Sequence, residues 1–145
     1  MQIRPWMPDA VKGVEWISFG SSIYNTFLPV YPNVPKLPDY LSKVTLEPST
    51  ENFFWSSRLL NALADPHFGS CIQVIERYQN SVLAQGHAII AETDKKFLET
   101  GDLKLLAQSN EKVCAMGKKE TTAVLDKVLL TASQKMKNTY NRSDY

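Results

Sequence analysis

The sequence predicts an α+β fold in which helices predominate, and three features carry that reading. Two β-rich runs stand near the N-terminus, a proline-dense link follows them, and two long helical periodicities meet at Thr100-Gly101-Asp102. The fold expected is an N-terminal β-hairpin or short sheet, then one helix, then a long antiparallel helical hairpin. Strands occupy residues 1–35, a connector 36–49, helices 50–137 and a frayed tail 138–145, all within one domain.

The hairpin organises the rest. Val14 to Phe19 and Tyr24 to Tyr31 are rich in Trp, Tyr, Phe, Ile and Val, and Gly20-Ser21-Ser22 between them is a turn signal. In the first run Val14, Trp16 and Ser18 point one way and Glu15, Ile17 and Phe19 the other, so both faces carry large apolar groups. Strands of that kind sit inside a larger sheet covered on both sides, and an isolated hairpin is marginal in water. No later segment supplies further strands. The chain is therefore expected to be the C-terminal piece of a larger protein, or to pair its hairpin with another chain.

Met1 to Pro5 reads as a short strand with Ile3 inward, broken by Pro5, Pro8 and Gly13. It lacks the polar lead-in that usually precedes a first strand, which again points to residues upstream. Pro29, Pro32, Pro35 and Pro38 make an extended connector, with a brief helical turn at Asp39 to Leu41. Pro29 within the second run implies a sheet edge, a bulge or the strand's end.

The first clear helix is expected from Thr50, capped by Ser49 or Thr50 with Glu51 in its first turn, to Ala64 before Asp65-Pro66. Trp55, Leu59, Ala62 and Leu63 form its inward stripe, broadened by Phe53, Phe54 and Leu60, with Arg58 on the polar remainder. The second helix runs from about Ser70 to Glu99, roughly 45 Å, through Ile72, Ile75, Val82, Ile89 and Phe97, with Tyr78 and Ile90 beside them. The third begins at Asp102 as N-cap and runs to about Lys137 through Leu106, Val113, Val124, Leu125 and Val128. Their short link makes them antiparallel neighbours, which brings Gly86 and Gly117 to one level and could let the two helices approach closely.

Composition excludes several classes. Hydrophobic residues are 43%, charged residues 21% and the net charge is +1, as for an ordinary globular chain. No apolar run reaches the roughly 20 residues that span a bilayer, no secretory signal pattern stands at the N-terminus, and a cytoplasmic location is expected. Lys104 to Tyr145 carries a net +4 and Met1 to Leu103 a net −3. The basic residues follow a helical pattern without interleaved aromatics, which reads as a solvated face and not as a nucleic-acid surface. Cys71 and Cys114 with His67 and His87 give no metal-ligand spacing and no disulfide framework, so neither a metal nor a cofactor is expected.

No phosphate loop, serine elbow, histidine pair or close carboxylate pair occurs. Cys71 in the first turn of the second helix could gain nucleophilicity from the helix dipole, or serve as a small buried hydrophobe. His87 reads as a packed or surface histidine.

Arg4-Pro5, Trp16-x-x-x-Gly20, Phe27-x-Pro29-x-Tyr31 and Phe54-Trp55-x-x-Arg58-Leu59-Leu60, followed by two long helices, resemble the C-terminal part of bacterial dipeptidases of the dipeptidase A type. These belong to the N-terminal-nucleophile hydrolases. The resemblance implies that the sheet is a fragment of an αββα sandwich and that the intact enzyme cleaves dipeptides through an N-terminal cysteine, its own α-amino group acting as base. Met1 stands first here and neither Cys71 nor Cys114 is terminal, so no catalytic residue is assigned and the chain alone is expected to be inactive. Arg4 and Asn25, beside the hairpin, are the substrate-proximal candidates. Expected partners are a dipeptide substrate in the full-length enzyme, the missing N-terminal part, and further copies of the chain, but neither nucleic acid nor membrane. The alternative is a non-enzymatic helical-hairpin module that binds a protein.

Overall fold

The computed structural model describes residues 1–20 and 23–136. It is mostly helical, with a small antiparallel sheet at the N-terminus. Strands β1 (Gln2–Ile3), β2 (Gly13–Ile17) and β3 (Leu28–Val30) lie in that order, with Gln2 opposite Val14 and Trp16 opposite Pro29. Helices α1 (Asp39–Ser42), α2 (Phe53–Ala64), α3 (Phe68–Thr100) and α4 (Lys104–Gln134) follow, and a 3-10 turn over Asp65–His67 joins α2 to α3.

The hairpin pairs as expected but over shorter strands. Gly20 takes φ 84° and the Asn25 side-chain amide donates to the Phe19 carbonyl, so the ladder ends at Ile17 and residues 24–26 fold inward as loop. Ser21 and Ser22, expected in the turn, lie outside the described residues. Val14 is fully buried and the rest of β2 is half-covered. At β1 the inward residue is Arg4, which follows the strand, whereas Ile3 is 55% exposed. The buried charge has a fixed partner on α3, and that partner sets which way the segment turns.

β3 is an edge strand, as Pro29 requires, and it lies in the groove between α3 and α4. This corrects the role expected of the two mid-helix glycines. A Cβ on Gly86 would come within 3.0 Å of the Pro29 ring, and one on Gly117 within 2.8 Å of both Leu28 methyls. The glycines do stand at one level, but they admit the strand and not the opposite helix.

The core has two parts along the helical hairpin. Phe53, Leu60, Ile75, Val82 and Val113 centre the part beneath α2, and Val11, Val14, Tyr31, Ile90 and Phe97 centre the part beneath the sheet. On α3 the buried line passes through Tyr78, Val82, Gly86 and Ile90, with Ile72 and Ile89 on its flanks. Gly101 ends α3 in the left-handed conformation at φ 67°, its N–H bonded to the Phe97 carbonyl. The N-cap of α4 is Leu103 and not the expected Asp102, whose carboxylate instead sits one residue earlier and accepts from the Lys104 N–H at 3.0 Å. α4 ends at Gln134 with Lys135 as its C-cap, short of the expected Lys137, which itself lies outside the described residues.

α2 departs most from expectation. It starts at Phe53 with Asn52 as N-cap, the side-chain oxygen accepting from Trp55 N–H at 2.9 Å, while the Ser49 hydroxyl accepts only from Glu51 N–H in the preceding turn. Its buried face is Phe53, Ser56, Ser57, Leu60 and Ala64. The stripe of Trp55, Leu59 and Ala62 points outward, with Leu59 41% exposed. A helix apolar on nearly all sides can turn either stripe inward, and here the two serines permit close contact where larger residues would not fit. Because Asn52 is 3% exposed and its amide also reaches Thr45 Oγ1, Asn52→Ala is expected to cost about 1 to 2 kcal/mol in thermal or urea denaturation. Ser49→Ala should cost little.

Candidate functional site

Arg4 and Asn25 both lie in the interior, and the structure does not bring them together. Arg4 is 8% exposed. One guanidinium nitrogen bonds Asp94 Oδ2, and a second bonds the Val11 carbonyl and Asp94 Oδ1, the latter at 3.1 Å. The Tyr31 hydroxyl donates to the same Asp94 Oδ1 at 2.8 Å. Burial, with that hydrogen bond, pushes the Tyr31 phenol well above its ordinary range, so it stays protonated as a donor. Arg4, Asp94 and Tyr31 thus tie the segment after β1, the residue after β3 and the distal half of α3 into one charged cluster.

Asn25 is 2% exposed and serves the other end of the sheet. Its side chain holds the Phe19 carbonyl, and its own carbonyl accepts from Gln79 Nε2 at 2.8 Å, as does that of Ile23 at 3.0 Å. Gln79 and Asp94 are fifteen residues apart on α3, or about 22 Å. One small ligand does not span the two.

A third polar anchor was not singled out from the sequence. Asn110 is fully buried on α4, its oxygen accepting from Tyr31 N–H and its amide donating to the Tyr31 carbonyl, both at 2.9 Å. The signal was present, since Asn110 falls between Leu106 and Val113 on the apolar stripe of its helix. A buried side chain there needs a partner. Asp94 gave no distinct signal, standing in the polar run Glu92-Thr93-Asp94-Lys95-Lys96.

Both cysteines are interior. Cys71 is 1% and Cys114 4% exposed, and burial raises both thiols, Cys114 to about 12. Of the two readings of Cys71, the small buried hydrophobe fits its 1% exposure and the rise of its thiol through desolvation, and the dipole-activated nucleophile does not. In the native chain at neutral pH, both cysteines should react with iodoacetamide far more slowly than in urea, as mass spectrometry of the peptides would show. His87 is exposed, with its ring 4.7 Å from that of Trp16.

Concave surface lies elsewhere. A groove of about 650 Å³ is bounded by Pro48, Thr50, Trp55, Arg58, Leu59 and Ala62. A cleft of about 350 Å³ between α3 and α4 is lined by Arg77, Tyr78, Ser81, Glu120 and Lys127. In the cleft Ser81 Oγ donates to Glu120 Oε2 at 3.2 Å and accepts from Gln85 Nε2 at 3.0 Å, and the groove has neither a carboxylate nor a histidine among its lining residues. Among the described residues no helix is long and apolar enough to cross a membrane.

The arrangement is a small antiparallel sheet pinned onto a helical hairpin, with Arg4, Asn25 and Asn110 making the bonds that hold it there. Over residues 1–81, more than half its length, the chain matches peptidase family C69, and it belongs to that family. It is similar to a dipeptidase of Bifidobacterium longum, at 32% identity over all of this chain and 35% of that protein. It is also similar to a probable dipeptidase A of Streptococcus pyogenes, at 34% identity over 99% of this chain and 30% of that protein, and to a probable dipeptidase B of Lactococcus lactis, at 29% identity over 99% and 31%. The chain spans about a third of the length of these relatives.

Proposed function

We propose that these 145 residues are the C-terminal, scaffolding part of a dipeptidase whose nucleophile lies outside them. In the complete enzyme a cysteine at the mature N-terminus attacks the peptide carbonyl of a dipeptide. Its α-amino group takes the thiol proton, and amide donors hold the oxyanion. The observation that carries the reading is the family match, made by a chain about a third as long as relatives that are named dipeptidases. The buried, desolvated state of Cys71 and Cys114 agrees with a nucleophile elsewhere.

Within this reading the three strands join the sandwich of the parent enzyme and the helical hairpin buttresses it. Arg4 and Asn25 stand near the substrate through the segments they hold, Arg4 by fixing β1 and Tyr31, Asn25 by fixing the loop before β3. The enzyme works in the cytoplasm. It self-associates through apolar residues such as Leu98 and Leu103, which are 60% and 62% exposed at the turn of the hairpin.

The test is release of free amino acids from a panel of dipeptides, by the intact parent protein and by the 145-residue chain. The parent should hydrolyse some of them and lose that activity on alkylation or on replacement of its N-terminal cysteine, whereas the isolated chain should show none. Hydrolysis by the isolated chain, or no hydrolysis by the parent, overturns the proposal.

A further inference from the structure

The outward stripe of α2 is left without a partner by this chain's own fold. Trp55, Leu59 and Ala62 line the groove of about 650 Å³. Thr50 and Leu59 connect it to a cleft of about 240 Å³ that includes Leu63, Leu125 and Leu129, the last 52% exposed. The walls are fixed: Trp55 Nε1 donates to the Thr45 carbonyl at 2.8 Å, and the Arg58 guanidinium sits 5.7 Å from the Phe54 ring centre and 5.9 Å from that of Trp55. Arg58 makes no ion pair among the described residues. A largely apolar surface with the unpaired Arg58 at its rim, and Thr122 and Asp126 in the joined cleft, has the apolar centre and polar rim of an interface.

We propose that this groove is the seat of an apolar segment bearing a carboxylate, supplied by the part of the parent protein outside these 145 residues. The inference rests on the reading of the chain as part of a longer dipeptidase. Two observations favour that occupant over a second copy. About two thirds of the length of the relatives is not represented here, and the groove's α2 wall falls within residues 1–81, the portion that matches the family. The carboxylate would complete the Arg58 stack, as desolvation strengthens a guanidinium–carboxylate pair.

The test compares Ala62→Cys in the intact parent and in the 145-residue chain, labelled with a water-soluble maleimide and read by peptide mass spectrometry. Ala91→Cys, exposed on α3, serves as the control. Labelling at position 62 is expected to be about tenfold or more slower in the parent and fast in the isolated chain at every concentration, with position 91 fast in both. Equal labelling at position 62 in the two proteins overturns the docking, and so does protection that appears in the isolated chain as its concentration rises, which marks a second copy. Dipeptidase activity of the same parent preparation, measured alongside, decides the functional reading separately.

Discussion

Asp94→Ala should lower the stability of the chain by about 3 to 5 kcal/mol, the range for breaking one side of a buried ion pair. The partners set the size. Asp94 and Arg4 side chains are 13% and 9% exposed, and the carboxylate takes two bonds from the guanidinium and one from Tyr31. Without it, the Arg4 guanidinium keeps the Val11 carbonyl and the neutral Tyr31 hydroxyl but no counter-charge. Among the described residues its Nε already has no partner, and a guanidinium does not shed its proton to escape burial. The loss should be local as well as global, because the cluster joins β1, the Val11 loop and Tyr31 to α3. Hydrogen exchange should quicken first at Ile3, Val14 and Tyr31. The paired change Arg4→Met with Asp94→Leu should recover much of the loss, since two apolar side chains need no counter-charge. A deficit under about 1 kcal/mol for Asp94→Ala in urea denaturation would mean that the pair behaves as a surface pair and that the cluster does not hold the sheet.

How far the sequence revealed this arrangement depended on whether the signal was local. Gly101 and Asp102 placed the turn of the helical hairpin, and Pro29 narrowed β3 to an edge, a bulge or a strand's end, of which the structure has the edge, because each follows from the backbone chemistry of a single residue. Gly86 and Gly117 showed by spacing alone that they share a level. What occupies that level could not be read, since Leu28 and Pro29 lie some sixty to ninety residues earlier in the chain. The face of α2 was misjudged for a related reason. Its apolar residues surround most of the helix, so periodicity does not choose between Phe53-Leu60 and Trp55-Leu59, and the choice falls to packing against α4. The candidate site residues fared similarly. Arg4 and Asn25 were legible as unusual polar residues near the hairpin, but their partners Asp94 and Gln79 lie ninety and fifty-four residues away.

Asn110→Leu should cost about 2 to 5 kcal/mol, because it strips partners from two buried backbone groups together. β3 ends at Val30, and Tyr31 then pairs its N–H and its carbonyl with the Asn110 amide, as a neighbouring strand would. Leucine nearly matches the volume but offers neither donor nor acceptor, and the site is fully buried, so water does not replace them. Asn110→Asp separates the two bonds. As a carboxylate it still accepts from Tyr31 N–H but faces the Tyr31 carbonyl with no proton to give, and it places a charge in the core. As a neutral acid it regains the donor. Its folded-state pKa should therefore lie above the unfolded carboxylate value, so the variant's stability relative to the unsubstituted chain is greatest below about pH 4 and declines as pH rises through the folded pKa. Urea midpoints of both proteins from pH 4 to pH 8 would show that widening gap. A gap that stays constant with pH would mean that Asn110 fills space without pinning Tyr31, and the strand would then owe its seat between α3 and α4 to the space at Gly86 and Gly117 and to the bond from Tyr31 to Asp94.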